Sequence, residues 1–311
     1  LDFILPFEKY KITAGAKVSF TNTRNGINYD TSDPTLVQDD YFRYKEQIYA
    51  LYADYSREFS ERFSMQLGLR MEHTRTTGIS EAKDTEDKHD YTRLFPTVYL
   101  LYSPTDGHAL NFSFSNRISR PSQNMVNPFP FYQNKYTYAC GREDLKPSYT
   151  YNAELGYTLK NNFNVSAYYS YSDDVFFQVV DLDAETNVTS FLWENFMQTH
   201  AFGLNNSYTF RTKWLQAYAQ HGVSYRRTTS SAATTSPEEK GWAYDASLRN
   251  TFFFNEKKTL LATLSGSYSS RQYQGIYLMS PTYSVSAGML YRLLDNKLNP
   301  VSYTHLRAHE T

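Results

Sequence analysis

The sequence predicts an all-β chain, an antiparallel up-and-down transmembrane β-barrel, and three observations lead to this prediction. Apolar and polar residues alternate over many segments of about ten residues, the pattern of a strand with two unlike faces. Short polar turns and longer polar connections follow one another along the chain. Aromatic residues are abundant, with 29 Tyr, 21 Phe and 3 Trp among 311 residues, and many stand near segment ends, where membrane interfaces hold them.

The composition excludes several other classes of protein. Lys and Arg (31) nearly balance Asp and Glu (32), so charge gives no reason to expect nucleic acid as a partner. The mean hydropathy is −0.61, and no apolar run approaches the ~18 residues of a membrane-spanning helix. The single cysteine, Cys140, cannot form an internal disulfide or a cysteine-rich zinc site. Disordered chains are poor in aromatics, so disorder is also excluded.

Residues 149–160 show the alternation most clearly. The apolar face consists of Tyr149, Tyr151, Ala153, Leu155, Tyr157 and Leu159. The opposite face consists of Thr150, Asn152, Glu154, Gly156, Thr158 and Lys160. After a tight turn at 160–162, the alternation resumes over residues 163–172, which predicts a hairpin of two long strands.

The same pattern predicts about twelve strands in up-and-down order. Clear or partial alternation covers residues 10–20, 48–59, 63–71, 110–114, 149–160, 163–172, 202–211, 215–225, 242–254 and 283–293. Short turns are predicted at 60–62, 104–107, 160–162, 211–213, 255–258 and 295–297. Long loops are predicted at 21–43, 76–92, 119–148, 180–189, 227–240 and 271–280. This regular change of turn length favours a membrane barrel over a soluble β-sandwich or solenoid, which remains the alternative.

Several motifs resemble the outer-membrane barrel of TonB-dependent receptors of the Bacteroidota type. The motifs are Arg-Pro-Ser at 120–122, Asn-Pro-Phe at 127–129, Leu-Lys-Pro-Ser at 145–148 and Gly-Leu-Arg-Met-Glu-His-Thr at 68–74. The resemblance covers most of residues 1–298, and the chain departs from the family pattern at 140–144. It implies part of a larger, plugged barrel of about 22 strands in the outer membrane of a Gram-negative cell.

The resemblance also implies a function and a set of partners. Such receptors take up a nutrient such as a siderophore, cobalamin, a glycan or a peptide, and they perform no covalent chemistry. The implied partners are outer-membrane lipid, an N-terminal plug domain of the same protein, the TonB complex and the nutrient itself. We expect no cofactor, no metal and no nucleic acid.

The chain is expected to be a fragment with two parts. Residues 1–299 are predicted to form the partial outer-membrane β-barrel domain. Residues 300–311 are charged and do not alternate, and they resemble the read-through tail of a broken gene, so we predict that they are not native. The plug, the first strands and the last strand are expected to lie outside the sequence.

The loop at 119–148 is the best candidate for ligand binding, because aromatic, amide and guanidinium groups can stack on and hydrogen-bond to a ligand. The predicted ligand-binding residues are Arg120, Asn127, Phe129, Tyr132, Gln133, Asn134 and Tyr136. The alternative is that these residues pack the loop against the barrel wall or the plug.

Two alternative functions stay open from the sequence. His221 falls on an apolar strand face, as a base in an outer-membrane phospholipase would, but Ser224 has the opposite parity and no serine shares the face. We therefore predict no catalytic residue. The second alternative is a soluble β-rich carbohydrate-binding module.

Residues 181–185 begin with the spacing of a calcium-binding loop. However, Thr186 and Leu192 occupy the positions where an EF-hand needs Gly and Glu, so we predict no metal site there.

The fragment 1–311 on its own should not close into a normal barrel, because its edge strands would lack hydrogen-bond partners. After refolding in detergent, we expect no compact band that unfolds on heating in a semi-native gel. The intact protein is the control, and a heat-modifiable band from the fragment would contradict this prediction.

Overall fold

The computed structural model describes residues 1–28, 39–81, 83–293 and 297–309, and it is almost entirely β. One helical turn, α1 (Gln123–Val126), interrupts the strands. The strands are β1 (Asp2–Pro6), β2 (Tyr10–Asn28), β3 (Asp39–Ser60), β4 (Phe63–Ser80), β5 (Thr85–Tyr102), β6 (His108–Ser119), β7 (Phe131–Asn134), β8 (Thr137–Cys140), β9 (Ser148–Leu159), β10 (Phe163–Asp183), β11 (Val188–Arg211), β12 (Leu215–Ser230), β13 (Glu238–Phe253), β14 (Leu260–Ser269), β15 (Gln272–Gln274), β16 (Tyr277–Met279), β17 (Thr282–Tyr291) and β18 (Val301–His309).

The long strands form one antiparallel sheet in which each strand pairs with its neighbours along the chain. The order is β1-β2-β3-β4-β5-β6-β9-β10-β11-β12-β13-β14-β17-β18. Within the described residues, β1 and β18 are the two edges and do not pair with each other. The predicted up-and-down topology and its incomplete closure are therefore confirmed. The roughly twelve predicted strands are β2 to β6, β9 to β14 and β17, and β1 and β18 add one strand at each edge.

The short turns have the backbone geometry that tight hairpins require. In the β9–β10 turn, Lys160 and Asn161 have φ values of +48° and +59°. Two successive positive φ values are those of the central pair of a type I′ turn, which Asn162 N closes by donating to the Leu159 carbonyl at 3.1 Å within the three-residue connection. The polar Lys-Asn-Asn sequence at this turn thus fixes the register of the hairpin from Phe163 opposite Leu159 onward.

Two of the long loops predicted from the sequence are mostly strand. In the segment 76–92, β4 and β5 stay paired up to Ser80 opposite Thr85. In the segment 180–189, β10 and β11 stay paired up to Asp183 opposite Val188. Residues 76–92 are mostly polar on both faces, so alternation disappears there although the backbone remains extended, and the sequence pattern indicates a loop. In the second segment, Val180 and Leu182 still alternate with Asp181 and Asp183, and the polar residues 185–187 end the pattern. The predicted loop 21–43 is strand at both ends, and residues 29–38 lie outside the described part.

The two faces of the sheet differ as the alternation predicts. On β4, Leu67 and Leu69 are 39% and 50% exposed on the outward face. Gln66, Arg70 and Glu72 have the opposite parity and face inward. Exposed leucines in a regular row on one face are the pattern of strands that contact lipid, since lipid contacts every second side chain.

Aromatic rings mark the two edges of this apolar band. The lower belt, on the side of the short turns, consists of Tyr10, Tyr55, Phe59 and Phe63, with ring centroids 5.9 Å apart for Tyr10–Tyr55 and 5.3 Å for Phe59–Phe63. The upper belt consists of Phe20, Tyr49 and His73, with neighbouring centroids 6.0 and 6.3 Å apart. From Tyr10 to Phe20, a strand tilted by about 40° rises roughly 25 Å, which is the height of the apolar band of an outer-membrane barrel.

The buried core is small and lies on the inner side of the sheet, above the apolar band. One cluster joins Phe42 of β3 to Val126 and Leu145 of the loop 119–148. A second cluster joins Val179, Phe196 and Met197 at the upper ends of β10 and β11. Outer connections thus fold inward and pack on the wall. Among the described residues, the helical turn α1 is too short to cross a membrane.

Residues 301–309 continue the sheet beyond the point where the sequence pattern stops. The strand β18 pairs with β17 from Val301 opposite Leu290 to His309 opposite Thr282. Backbone pairing needs no alternation of side chains, so the charged sequence does not prevent it. That residues 300–311 are not native stays a prediction.

Replacing Leu67 by Arg in the intact protein should destabilise it by about 2–4 kcal/mol, because Leu67 faces lipid near the middle of the apolar band. The free energy of unfolding, measured by urea titration in lipid vesicles, tests this. Gln66→Arg is the matched control, because Gln66 faces the polar inner side, and it should change stability little. Equal losses in the two variants would contradict the assignment of faces.

Candidate ligand-binding site

The loop 119–148 crosses the inner face of the sheet. It leaves β6 at Ser119, forms α1 and the β7–β8 hairpin, and returns to β9 at Ser148. Its contacts reach β4 and β5 on one side and β11 on the other, as the hydrogen bonds described below show. A long connection that folds inward over the mouth of the sheet is well placed to meet a ligand that enters from the side of the long loops.

Arg120 fixes the start of this loop to the wall. Its Nη2 donates to Glu72 Oε2 at 2.5 Å and to Thr74 Oγ1 at 3.2 Å. Glu72 is buried on the inner face of β4 and also pairs with Arg70 at 2.5 Å. Burial alone would lower the pKa of the Arg120 guanidinium, but hydrogen bonding to Glu72 and the neighbouring Tyr91 raise it above its ordinary value. The cation therefore stays charged and holds the loop electrostatically.

Asn127 and Phe129 form the inside of the loop. Both side chains are only 1% exposed. The Asn127 Oδ1 accepts from the backbone N–H of Phe129 at 3.1 Å, and its carbonyl accepts from Gly141 N at 2.8 Å. A side chain at Gly141 would run into the carbonyls of Met125 and Asn127, so the close approach of the two halves of the loop requires glycine there. These two residues therefore pack inside the loop, which is the arrangement that the alternative to ligand binding describes.

The β7–β8 hairpin carries the other predicted residues. Gln133, Asn134 and Tyr136 are exposed, and Tyr136 is 60% exposed. Tyr132 packs on Tyr138 with ring centroids 5.7 Å apart. The strand β8 pairs in parallel with the upper part of β11, from Thr137 opposite Thr189 to Cys140 opposite Leu192. The wall thus holds the hairpin in place while the Gln133 amide and the Tyr136 phenol stay exposed, and Asn134 Oδ1 accepts from Tyr136 N at 2.8 Å.

The far end of the loop is fixed by three further contacts. Glu143 Oε1 accepts from Thr85 Oγ1 of β5 at 2.6 Å. Lys146 N donates to Asn195 Oδ1 at 2.8 Å, and Asn195 Nδ2 donates back to the Lys146 carbonyl at 2.9 Å. Because Asn195 belongs to β11, the loop spans the inner face from β5 to β11. Arg142 adds an ion pair with Glu194 of β11 at 2.7 Å.

A cavity of about 200 Å³ lies between the loop and the wall. Its lining combines phenols with charged groups, namely Tyr44, Glu46, Tyr91, Arg93, Arg120 and Tyr149. The Arg93 guanidinium lies 5.0 Å from the centroid of the Tyr149 ring. Pockets for drug-sized ligands usually exceed about 300 Å³, so this cavity fits a small group of a ligand rather than a whole siderophore.

Cys140 is a half-buried thiol with little reactivity expected. Its Sγ donates toward the Pro128 carbonyl at 2.9 Å. Burial raises the pKa of the Cys140 thiol, the Glu143 carboxylate adds to the effect, and Lys83 partly opposes it. Since the thiolate is the nucleophile, this environment keeps Cys140 in its inert form.

The remaining sequence candidates do not join the loop. His221 is exposed on the outward face, opposite Asn206 and Ala246, and Ser224 lies on the other face. Asp183 caps the β10–β11 turn, where its Oδ1 accepts from Glu185 N at 2.9 Å and its Oδ2 accepts from Thr186 Oγ1 at 2.7 Å. These hydrogen bonds lower the pKa of the Asp183 carboxyl. Among the residues the structure describes, no group of three His, Cys, Asp or Glu side chains could hold a metal ion.

The structure separates the predicted ligand-binding residues into two groups and adds others. Arg120, Asn127 and Phe129 anchor the loop, whereas Gln133, Asn134 and Tyr136 are exposed on the hairpin. The cavity residues Tyr44, Glu46, Tyr91 and Arg93 belong to strands, and sequence reasoning missed them. The signal that could have found them is parity, because they continue the inward-facing positions of strands whose outward face is apolar lower down.

Comparison with known proteins gives one family and a set of similar structures. Residues 1–300 match the outer membrane protein beta-barrel family. A search of curated proteins finds no match. The fold is similar to the copper transporter OprC, with a TM-score of 0.68 at 12% identity over 94% of this chain and 48% of that chain.

Two iron-related proteins are also similar. The FrpB iron transporter from Neisseria meningitidis gives a TM-score of 0.64 at 14% identity, over 98% of this chain and 50% of that chain. A mutant of the ferric enterobactin receptor PfeA from Pseudomonas aeruginosa, in complex with enterobactin, gives 0.62 at 14% identity, over 95% and 46%. This chain thus spans about half the length of these structures, and the likeness is one of fold.

Replacing Arg120 by Gln should loosen the loop 119–148, because Glu72 would stay buried with only Arg70 as a cationic partner. We expect a loss of about 1–3 kcal/mol in the interactions that hold the loop and faster trypsin cleavage after Lys135 and Arg142 in the intact protein. Arg117→Gln is the matched control, since Arg117 is an exposed residue three positions earlier. Unchanged cleavage in Arg120→Gln would show that this ion pair does not anchor the loop.

Proposed function

Because the chain belongs to the outer membrane protein β-barrel family, we propose that it is the C-terminal barrel part of a TonB-dependent receptor that transports a nutrient across the outer membrane. The ligand class is the one that the sequence resemblance implies, a siderophore, cobalamin, a glycan or a peptide. The known structures with a similar fold include transporters of iron and copper and a receptor for ferric enterobactin. A receptor of the Bacteroidota type stays a prediction from the sequence.

The observation that carries this proposal is the inward-folded loop 119–148. A barrel that served only as an anchor would not need a long connection bound across its inner face by Arg120–Glu72 at one end and Lys146–Asn195 at the other. Binding residues are often placed on loops that a rigid scaffold positions. Here the wall is the scaffold and the β7–β8 hairpin is the presented element.

The chemistry of the hairpin and the cavity suits capture of a polar ligand with planar or ring-shaped groups. Gln133 and Asn134 offer amide donors and acceptors, and Tyr136 offers an exposed ring for stacking. The cavity below adds the guanidinium of Arg93 and the phenols of Tyr44 and Tyr91. A ligand held by the hairpin could insert one small polar group into this cavity.

The polar inner face of the sheet suits passage of a polar ligand. Inward-facing positions of β10, β14 and β17 carry mostly Ser, Thr and Asn, which offer hydrogen bonds to a released ligand. In the proposed mechanism, a plug domain of the same protein closes the barrel, and the TonB complex supplies the movement that opens a path. No covalent step is required, and the face around His221 offers no nucleophile.

Deletion of the gene should abolish uptake of one compound from a panel of ferric siderophores, cobalamin, oligosaccharides and peptides, each carrying an isotope label. Deletion of tonB in the same strain should produce the same loss. The assay measures cell-associated label over time. Uptake that requires this gene but not tonB would contradict the proposed coupling of transport to the TonB complex. If deletion of the gene reduces the uptake of no compound in the panel, the proposed class of nutrient is wrong.

The triple variant Gln133→Ala, Asn134→Ala, Tyr136→Ala should weaken binding of that compound about tenfold or more, because two amides and one stacking ring are lost. Binding to whole cells, with the amount of protein in the outer membrane determined in parallel, is the measurement. Tyr41→Ala is the matched control, since Tyr41 is equally exposed (61%) but lies on the outward face of β3. Equal affinities of the triple variant and the control would show that the hairpin is not part of the binding site.

A further inference from the structure

The outward face of β2 to β5 changes character directly above the upper belt. The row of Val18, Tyr49, His73 and Thr92 contains no Lys, Arg, Asp or Glu, and charged residues begin in the row above it. The next three rows are Phe20-Gln47-Arg75-Asp90, Asn22-Lys45-Thr77-Lys88 and Arg24-Arg43-Ile79-Glu86. We call the cations of these three rows the basic patch: Arg24, Arg43, Lys45, Arg75 and Lys88.

The level of the basic patch relative to the membrane is set by the aromatic belts. Each row is two residues further along the strands, which adds roughly 5 Å of height for strands tilted by about 40°. The three rows therefore extend from the level of Phe20 in the upper belt to roughly 10 Å above it, where lipid headgroups lie. Because the long connections are on this side, these headgroups belong to the outer leaflet.

The charges of these twelve positions do not balance. The twelve positions hold five cations but only two carboxylates. Each carboxylate is paired with a cation, Asp90 with Arg75 at 2.8 Å and Glu86 with Lys88 at 3.0 Å. The other three cations, Arg24, Arg43 and Lys45, adjoin one another, with Asn22, Thr77 and Ile79 as their remaining neighbours in register. The excess positive charge is thus concentrated on β2 and β3.

Arg24 lies directly opposite Arg43 on the same face of neighbouring strands. Like charges in this position destabilise a sheet, and the Nε of Arg43 is buried without a hydrogen-bond partner among the described residues. An anion between the two guanidinium groups would remove the repulsion and accept hydrogen bonds from both. Guanidinium pairs are well suited to phosphate, which they can bind through two parallel N–H···O bonds.

We propose that the basic patch is a binding site for the phosphate-bearing headgroup of an outer-leaflet lipid, held between Arg24, Arg43 and Lys45 while its acyl chains lie along the apolar face below. The charge, the height above the upper belt and the outward direction of the side chains all agree with this ligand. The site differs from the nutrient site in location, because loop 119–148 lies on the opposite face of the sheet.

The corresponding height on β12 and β13 provides a comparison within the same protein. Arg227 and Lys240 also face outward there, but both pair with Glu238 at 2.5 Å. Two cations share one carboxylate, so little positive charge is left for a second anion. These two strands therefore lack the excess positive charge of the β2–β5 side.

The test uses the intact protein, purified in detergent and mixed with vesicles of phosphatidylcholine that contain diphosphorylated lipid A. The variant is Arg24→Gln, Arg43→Gln, Lys45→Gln, and the matched control is Arg227→Gln, Lys240→Gln. Each cation near a charged lipid surface contributes enough that losing three should reduce lipid A binding by a factor of roughly 100. The control should bind within about twofold of the unmodified protein because its cations are already paired.

Two further measurements make the outcome decisive. Lipid A without its phosphates should not bind the unmodified protein, and inorganic phosphate alone should not displace the lipid. In detergent without lipid, the triple variant should unfold at the same or a higher temperature, since Arg24–Arg43 repulsion is removed. Diphosphorylated lipid A should raise the unfolding temperature of the unmodified protein and of the control variant, but not that of the triple variant. Undiminished binding by the triple variant, equal binding of dephosphorylated lipid, or displacement by inorganic phosphate would each overturn the proposal.

Discussion

Every feature of this protein depends on the need to pair backbone amides and carbonyls where lipid offers no partner. Strands in an up-and-down sheet meet that need, because β2 to β6 and β9 to β14 each bond to a neighbour on both sides. Lipid then sorts the side chains, so Leu67 and Leu69 face outward while Gln66 and Arg70 face inward. Among the described residues, β1 and β18 are the two edges of the sheet, and the chain spans about half the length of the similar structures.

The inner face has the opposite problem, because it holds charges that become buried when an outer connection folds over them. Glu72 is stabilised by Arg70 and Arg120, and Glu143 by Thr85. A buried carboxylate without such partners would be costly. These polar contacts therefore determine the path of the loop 119–148, while the apolar contacts of Phe42, Val126 and Leu145 fill the space beneath it.

This arrangement divides the loop into a fixed part and a presented part. Asn127, Phe129 and Gly141 pack with almost no freedom, whereas the β7–β8 hairpin exposes Gln133, Asn134 and Tyr136. A rigid support for a polar, aromatic tip limits the entropy lost when a ligand binds. The outer surface is arranged for contact with lipid. The charges of the basic patch lie at the level of the headgroups, and aromatic rings lie at the two edges of the apolar band.

The sequence by itself determined the strands, their up-and-down order and their two faces, because alternation and turn chemistry are local properties of the chain. Family membership confirms the barrel fold and the outer-membrane location that the motifs indicated. The tertiary structure decided what local patterns do not contain: Arg120 meets Glu72, 48 residues away, and Lys146 meets Asn195, 49 residues away. For that reason Asn127 and Phe129 resembled ligand contacts in the sequence but are buried, and Tyr44 and Tyr91 were missed although they line the cavity. The strands of residues 76–92 were mistaken for a loop for another physical reason: no lipid contacts them there, so their sequence is mostly polar on both faces.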